Sequence, residues 1–502
     1  MPTSASHTTP DVTVALIGAG FSGIGTAIAL DKAGIHDYLI LEAGDGYGGV
    51  WHWNTYPGVA VDIPSFSYQF SYEQRSDWSR SYAPGRELKA YAEHCADKYG
   101  LHERTRFNTL VEEAVWDNAN DCWRLRIAAG SEITARYIVN GSGPLNVPKL
   151  PDIAGVNSFA GTTMHTARWD HTAKLAGKRI AVIGTGASAV QVIPEIAPIA
   201  SQLTVFQRTP IWCFPKLDVP LSGLLKAGMR LPGVKSALRV ASQAFVEVTF
   251  PLAAQYAGTL PAIAGQAARL GKAWLRSQVH DPEVRAKLTP DYAIGCKRPS
   301  FHNSYLATFN RPNVHLETTP IAEITANGVR TRDGTLHEVD VLVYATGFKV
   351  SDSEGSYRIR GADGSLMSEF FAHHRAQSYQ GVSLPNFPNF FTIFGPYGYN
   401  GASFFALIEA QTHHVLRCLK EAHHQDATRI EVMPEANQRY FEDMLSRRHT
   451  QIFWQESCAH ANSYYFDANG DVPFRRASTP ELIWESRHFP LQDYRFSSGA
   501  SG

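Results

Sequence analysis

Two glycine-rich turns are the residues best placed to do chemistry. The first is Gly18-Ala19-Gly20-Phe21-Ser22-Gly23 and the second is Gly184-Thr185-Gly186-Ala187-Ser188-Ala189. Glycines at these spacings let a chain turn tightly out of a strand and bring bare backbone N–H groups against a pyrophosphate at a helix N-terminus. Each such turn holds one dinucleotide, so two in one chain imply electron transfer between two dinucleotides. The residue past the second strand of each unit selects the dinucleotide. Glu42 lies 19 residues past Gly23. Its carboxylate would accept ribose hydroxyls and repel a 2′-phosphate, which suits FAD or NAD. Arg208, followed by Thr209, lies 19 residues past Ala189, so the spacing reads it in the register of Glu42. A guanidinium there offers a fork to a 2′-phosphate and suits NADP.

Other chemistries find little footing. Cys95, Cys122, Cys213, Cys296, Cys418 and Cys458 form no CxxC and no paired spacing. That argues against a disulfide framework, a zinc site and a redox-active dithiol alike. The adjacent pairs His373-His374, His413-His414 and His423-His424 point to different faces and read as surface or packing residues, not metal ligands. With 46 Lys and Arg against 47 Asp and Glu, nothing in the charge favours a nucleic-acid partner. No apolar run reaches the roughly 18 residues of a membrane-spanning helix. The nearest candidate, 240–270, is interrupted by Gln243, Glu247, Pro251, Gln255, Pro261 and Gln266. A helical lobe with an apolar face is expected there rather than stable membrane insertion. The first ten residues lack the cationic start and apolar core of a signal peptide, and a cytoplasmic location is expected.

Both loops require a strand in front and a helix behind. Val12–Ile17 is an apolar, β-branched run, 24–30 has a helical pattern, and Tyr38–Leu41 reads as a second strand ending at Glu42. The order repeats with Arg179–Ile183, a helical run over 188–195 and a strand over 203–206. A chain of 502 residues exceeds one small core. The expected fold class is α/β: two nested dinucleotide-binding, Rossmann-like domains with a helical insertion. The first part of the domain of Glu42, which suits FAD or NAD, is assigned to 11–147, ending in a strand over 135–140. The NADP-binding domain follows over 148–215, the helical insertion over 216–290 and the second part of the NADP-binding domain over 291–344. That last part contains a hairpin signal at Asp333-Gly334. Residues 345–496 complete the first domain, the one that suits FAD or NAD. Nesting of this kind sets two cofactor sites face to face.

Two longer motifs narrow the reading. Gly49-Val50-Trp51-His52-Trp53-Asn54-Thr55-Tyr56-Pro57-Gly58-Val59-Ala60-Val61-Asp62 fits G-x-W-x4-(F/Y)-P-G-x3-D, and the stretch from Phe159 through Gly161, His165 and Trp169 to Asp170 fits F-x-G-x3-H-x3-W-(P/D). On these motifs the chain resembles the Baeyer–Villiger monooxygenases, class B flavoprotein monooxygenases that use FAD and NADPH. The resemblance covers 11–496. It implies FAD at Gly18, Gly20, Phe21, Ser22, Gly23 and Glu42, with Gly49, Val50, Trp51, Tyr56 and Asp62 on the flavin side. It implies NADPH at Gly184, Thr185, Gly186, Ala187, Ser188 and Ala189, with Arg208, Thr209 and Lys297 around the 2′-phosphate. Arg298, beside Lys297, matches the family's active-site arginine, and Asp62 matches the acid that orients it; both are expected to be catalytic. Ala345-Thr346-Gly347 matches a further cofactor motif and Gly395-Pro396 a later flavin contact. His165 matches a domain-positioning histidine. Where the family commonly shows Ser-Trp-Tyr, this chain has Ser463-Tyr464-Tyr465, so Tyr464 is the expected aromatic at the nicotinamide or substrate pocket.

The activity implied is insertion of one oxygen atom from O2 next to a ketone carbonyl, giving an ester or lactone. In the family, NADPH reduces the flavin, the reduced flavin takes O2 as a C4a-peroxide, and Arg298 would stabilise the anions that follow. Segments 241–270 and 398–405, rich in Ala, Phe and Tyr, fit an apolar ketone as the small-molecule partner. Two alternatives remain. One is a flavin-containing monooxygenase acting on sulfur or nitrogen, which Trp169 disfavours. The other is a flavin redox sensor without oxygenation.

Overall fold

The computed structural model describes residues 9–256, 261–349, 356–458, 461, 463, 465–467 and 469–498. Val12–Ile17 lies at the middle of its sheet, pairing in parallel with Tyr38–Leu41 on one side and Glu132–Asn140 on the other. Its last four residues are buried, as befits a parallel strand covered on both faces. Cys122–Ile127 and Val111–Asp117 extend the sheet in antiparallel fashion to Arg358–Arg360, and Thr105–Arg106 closes the other edge. Phe390–Thr392 also joins Glu132–Asn140 in parallel. The sheet begun at Val12 is therefore completed by chain from beyond residue 350.

The second sheet lies wholly within that interval. Its order is Val314–Glu317, Gln202–Phe206, Arg179–Ile183, Val341–Tyr344 and Thr162–His165, all parallel. All four residues of Val341–Tyr344 are buried. An antiparallel meander of Ile321–Thr325, Gly328–Thr331 and Leu336–Glu338 packs beside it, with Gly334 at φ +89° in the expected hairpin. The architecture is thus α/β, two nested Rossmann-type domains, one strand set enclosed by the other in sequence.

The chain passes between the sheets twice, and the two passages pair. Lys149 N donates to Gly347 O at 2.9 Å and Lys349 N to Val147 O at 3.0 Å. The helix Phe21–Lys32 shows little amphipathicity because it is covered on both sides, by its own sheet and by the long helix Phe404–His424. The Phe21 and Phe405 rings lie 4.5 Å apart, and the Thr26 and Thr412 hydroxyls 3.2 Å apart. The insertion supplies Gly223–Gly228, Val234–Glu247, Ala253–Tyr256, Pro261–Gln278 and Pro282–Lys287. A π-helical turn, Val248–Leu252, widens the backbone at Pro251, which has no N–H to give to the preceding turn. Among the described residues no helix is long and apolar enough to cross a membrane.

Candidate active site

Both glycine loops end in the same way. Gly20 and Gly186 are the N-caps of Phe21–Lys32 and Ala187–Ile196, each with φ −75° and with ψ of −175° and −171°. No side chain caps either helix, so the first N–H groups of both are left for an anion. Gly18 and Gly184 adopt φ of +100° and +116°, a region that side chains disfavour. A Cβ on Gly184 would stand 2.4 Å from Ala345 O, whereas one on Gly186 would project into open space. Ala345 therefore backs the second loop, and its N–H donates to Ile183 O at 2.9 Å. Thr346 and Gly347 continue into the paired passages, where the Thr346 hydroxyl donates to Lys149 O. Gly49, at φ +55° and ψ −120°, lets the short helix Val50–Trp53 sit directly on the first loop; a Cβ there would lie 2.9 Å from Gly20 Cα. Trp51 Nε1 donates to the Tyr68 hydroxyl at 3.3 Å.

Glu42 is buried at the rim of the first loop. Its two oxygens accept from Ala19 N and Gly44 N, each at 2.7 Å. Uncapped helix ends, the open cradle at Gly186 and this carboxylate fit the pyrophosphates and ribose of two dinucleotides. The register of Arg208 requires correction. Ile17 pairs with Leu41, so Glu42 follows the paired position; Ile183 pairs with Phe206, so Gln207 follows it. The second unit is one residue shorter between its strands, and Gln207, not Arg208, occupies the place of Glu42. Gln207 is buried, with Nε2 donating to Lys287 O at 2.7 Å, and Arg208 next to it is exposed. A neutral amide removes the repulsion an acid would give, and the cation stands one residue further out. The Thr185 hydroxyl donates to Thr209 O at 3.0 Å and ties the loop to this segment. Burial, and then the charge of Arg208, lower the Lys297 ammonium to about 8.

Asp62 and Arg298 meet although 236 residues separate them. Arg298 Nε donates to Asp62 Oδ2 at 2.7 Å and Nη1 to the Tyr399 hydroxyl at 3.3 Å. The guanidinium carbon lies 4.5 Å from the centre of the Phe250 ring. Burial opposes both charges, yet the pair wins: Arg298, assisted by Lys216, holds Asp62 below its usual range, and Asp62 with Tyr399 and Tyr465 holds Arg298 well above its own. Both groups are ionised at neutral pH. Tyr399, Phe250 and Lys216 were not singled out from the sequence, because only the folded chain brings them to this pair.

A second device invisible in sequence joins the two domains. The Gln191 side chain, on the helix of the second loop, accepts from the Tyr56 hydroxyl at 2.8 Å and the Ala60 N–H at 3.4 Å. Its amide donates to Ala60 O at 2.8 Å. Gly58 lies against the same helix so closely that a Cβ would stand 2.7 Å from Gln191 O. The motif segment that ends in Asp62 is thus clamped to the helix of the other domain.

The expectation of no disulfide is overturned. Cys296 and Cys458 are bonded across a separation of 162 residues. Spacing rules detect local pairs, and nothing local marks this one. The bond fixes the residue before Lys297-Arg298 to the C-terminal segment that contains Ser463 and Tyr465. Tyr464 lies outside the described residues. His165 ends an edge strand, and its Nδ1 accepts from Ala167 N at 3.0 Å; burial lowers it to about 4, so it is neutral near pH 7.

Residues 15–225 match the pyridine nucleotide-disulphide oxidoreductase family. Over nearly its full length the chain is similar to a Baeyer-Villiger monooxygenase of Streptomyces coelicolor, 35% identical over 488 residues, covering 96% of this chain and 92% of that one. A Baeyer-Villiger monooxygenase of Pseudomonas aeruginosa is 37% identical over 458 residues, covering 90% and 84%. Among solved structures, cyclohexanone monooxygenase from Rhodococcus sp. Phi1 bound to NADP+ superposes with a TM-score of 0.87 at 28% identity, over 98% of this chain and 100% of that one. OTEMO in complex with FAD and NADP superposes with a TM-score of 0.86 at 28% identity and the same coverage.

Proposed function

The chain belongs to the Baeyer–Villiger monooxygenase family, and from that premise we propose that it uses FAD and NADPH to insert one atom of O2 beside a ketone carbonyl. Ketone, O2, NADPH and a proton are consumed; an ester or lactone, NADP+ and water leave. The observation that carries this reading is the half-buried Asp62–Arg298 pair, braced by Tyr399 and by the Phe250 ring.

In this reading FAD lies along Gly18, Gly20, Phe21, Ser22 and Gly23, with Glu42 on its ribose and Gly49, Val50, Trp51 and Tyr56 on the flavin side. NADPH lies along Gly184–Ala189, backed by 345–347, with Arg208, Thr209 and Lys297 about the 2′-phosphate. Bound flavin supplies the relay that takes hydride from NADPH and the activated oxygen that is inserted. The protein's share is electrostatic. Asp62 and Tyr399 occupy Nε and Nη1 of Arg298, leaving Nη2 to face the substrate carbonyl oxygen, where negative charge develops. The charge is fixed before reaction, so little reorganisation is needed. Tyr399 stacks on Phe404 at 5.1 Å and meets Phe474 edge-on at 5.0 Å, an aromatic wall that excludes water and suits an apolar ketone. Domain limits at 147/148 and 344/345 are part of the reading, supported by the pairing of the two passages there. So is a cytoplasmic location, supported by dependence on a cofactor that cells hold inside.

The test is turnover by the FAD-loaded protein of linear, cyclic, aromatic and steroid ketones with NADPH, with ester or lactone identified by mass spectrometry. Arg298→Ala is expected to retain FAD and oxidise NADPH while ester formation falls about 100- to 1000-fold, the loss that follows removal of an oxyanion donor. Ketone turnover at the parent rate in that variant would sink the assignment.

A further inference from the structure

The helix Val234–Glu247 packs Val234, Leu238 and Val246 on the core and leaves a second apolar stripe outward. On its covered side, alongside Val246, the Arg239 guanidinium donates to Gln69 O, the Ser242 hydroxyl lies 2.8 Å from that of Ser67, and Glu247 accepts from Thr479 N at 3.0 Å. On its open side stand Ala237, Val240, Ala241, Ala244, Phe245 and, in the next turn, Val248. Steps of three and four residues keep these on one stripe. Val240 is 68% exposed and Val248 65%. Just upstream, Leu224 is 87% exposed and Leu231 62%. Among the described residues, most large apolar side chains left in water fall between 217 and 270. Single exposed apolar residues need no explanation, but a stripe with such neighbours marks an unfilled contact.

Charge selects what fills it. Between 221 and 248 the one acid, Glu247, and Arg239 are both turned inward; the exposed Arg230, with Lys226 and Lys235 half-buried and their ammonium groups on Asp77 O and Gln74 O, keeps the net charge there positive. The nearby acids Asp77 and Asp218 are paired with Arg75 and Arg80. A second copy of the chain would set cations against cations. An anionic lipid surface answers both the apolar stripe and its basic fringe. The helix also leads directly to the reaction centre, since Phe250, which underlies Arg298, is two residues past the exposed Val248.

We propose that this face docks peripherally on an anionic phospholipid bilayer, from which apolar ketones reach the site. Delivery of ketone rests on the activity proposed above; docking does not. The experiment is co-sedimentation of the FAD-loaded full chain with vesicles of phosphatidylcholine mixed with phosphatidylglycerol, against vesicles of phosphatidylcholine alone, at low and high salt. The parent protein is expected to sediment with the anionic vesicles and to be released by salt. V240D/F245D is expected to lose roughly tenfold in partitioning. K226E/R230E/K235E is expected to lose at least roughly a hundredfold. V240D/F245D should keep the parent melting temperature, and both variants the parent rate with a water-soluble ketone. Absence of sedimentation, or sedimentation indifferent to both variants, overturns the proposal. So does a parent dimer in sedimentation velocity that V240D/F245D dissociates without any vesicle binding. Failure to oxidise any ketone would overturn the activity and leave the vesicle result standing.

Discussion

Placed as proposed beside the 2′-phosphate, Lys297 would tie cofactor choice to pH. Free, it is held near 8 by burial and by the charge of Arg208. A 2′-phosphate bound there as proposed would favour the charged ammonium, so the value would rise on binding and the complex would take up a proton above about 8. The sign follows: affinity for NADPH is full below about 8 and weakens as pH rises through it, by up to about tenfold per unit. The Michaelis constant for NADPH measured across this range should climb, while that for NADH, which lacks the 2′-phosphate, stays flat. Parallel pH profiles would refute the placement of Lys297. The motif pair Asp62 and Arg298 was legible in sequence as residue types; its geometry was not, because 236 residues intervene.

At the scale of elements, the Cys296–Cys458 bond joins the loop of Arg298 to the C-terminal segment. Beside it, Ala293 N donates to Ser457 O at 3.4 Å. Reduction, or Cys458→Ser, is expected to cost about 2–5 kcal/mol of stability. It should also lower the ester formed per NADPH consumed, since Arg298 is two residues from the link. Differential alkylation under denaturing conditions should label two further cysteines only after reduction; labelling of Cys296 without reductant would remove the basis for this expectation. The strands and helices around both loops were readable from apolar runs and glycine spacing. The one-residue shift that puts Gln207 in the place of Glu42 was not, because register is set by which residues pair across the sheet.

For the molecule as a whole, the contact between the domains matters most. Gln191 spans it with three hydrogen bonds, connecting the NADPH-side helix to the segment that delivers Asp62. Gln191→Ala removes the partner of the Ala60 backbone groups and one partner of the Tyr56 hydroxyl, at about 1–3 kcal/mol. The expected consequence is uncoupling: NADP+ affinity changes little, while less of the NADPH consumed yields ester and more yields hydrogen peroxide. An unchanged ratio of ester to NADPH in this variant would show that the clamp has no part in positioning.

The sequence by itself determined the two dinucleotide loops, the strands that launch them and their nested order. These follow from short-range rules: glycine for a tight turn, apolar runs for buried strands, a charge at a strand end. Tertiary structure alone decided which cysteines meet, which amide clamps the domains, that Phe250 and Tyr399 brace Arg298, and which apolar stripe of Val234–Glu247 is left outward. Each depends on groups far apart in the chain competing for the same buried space. A helical period records that two faces differ, but not which of them the rest of the molecule covers.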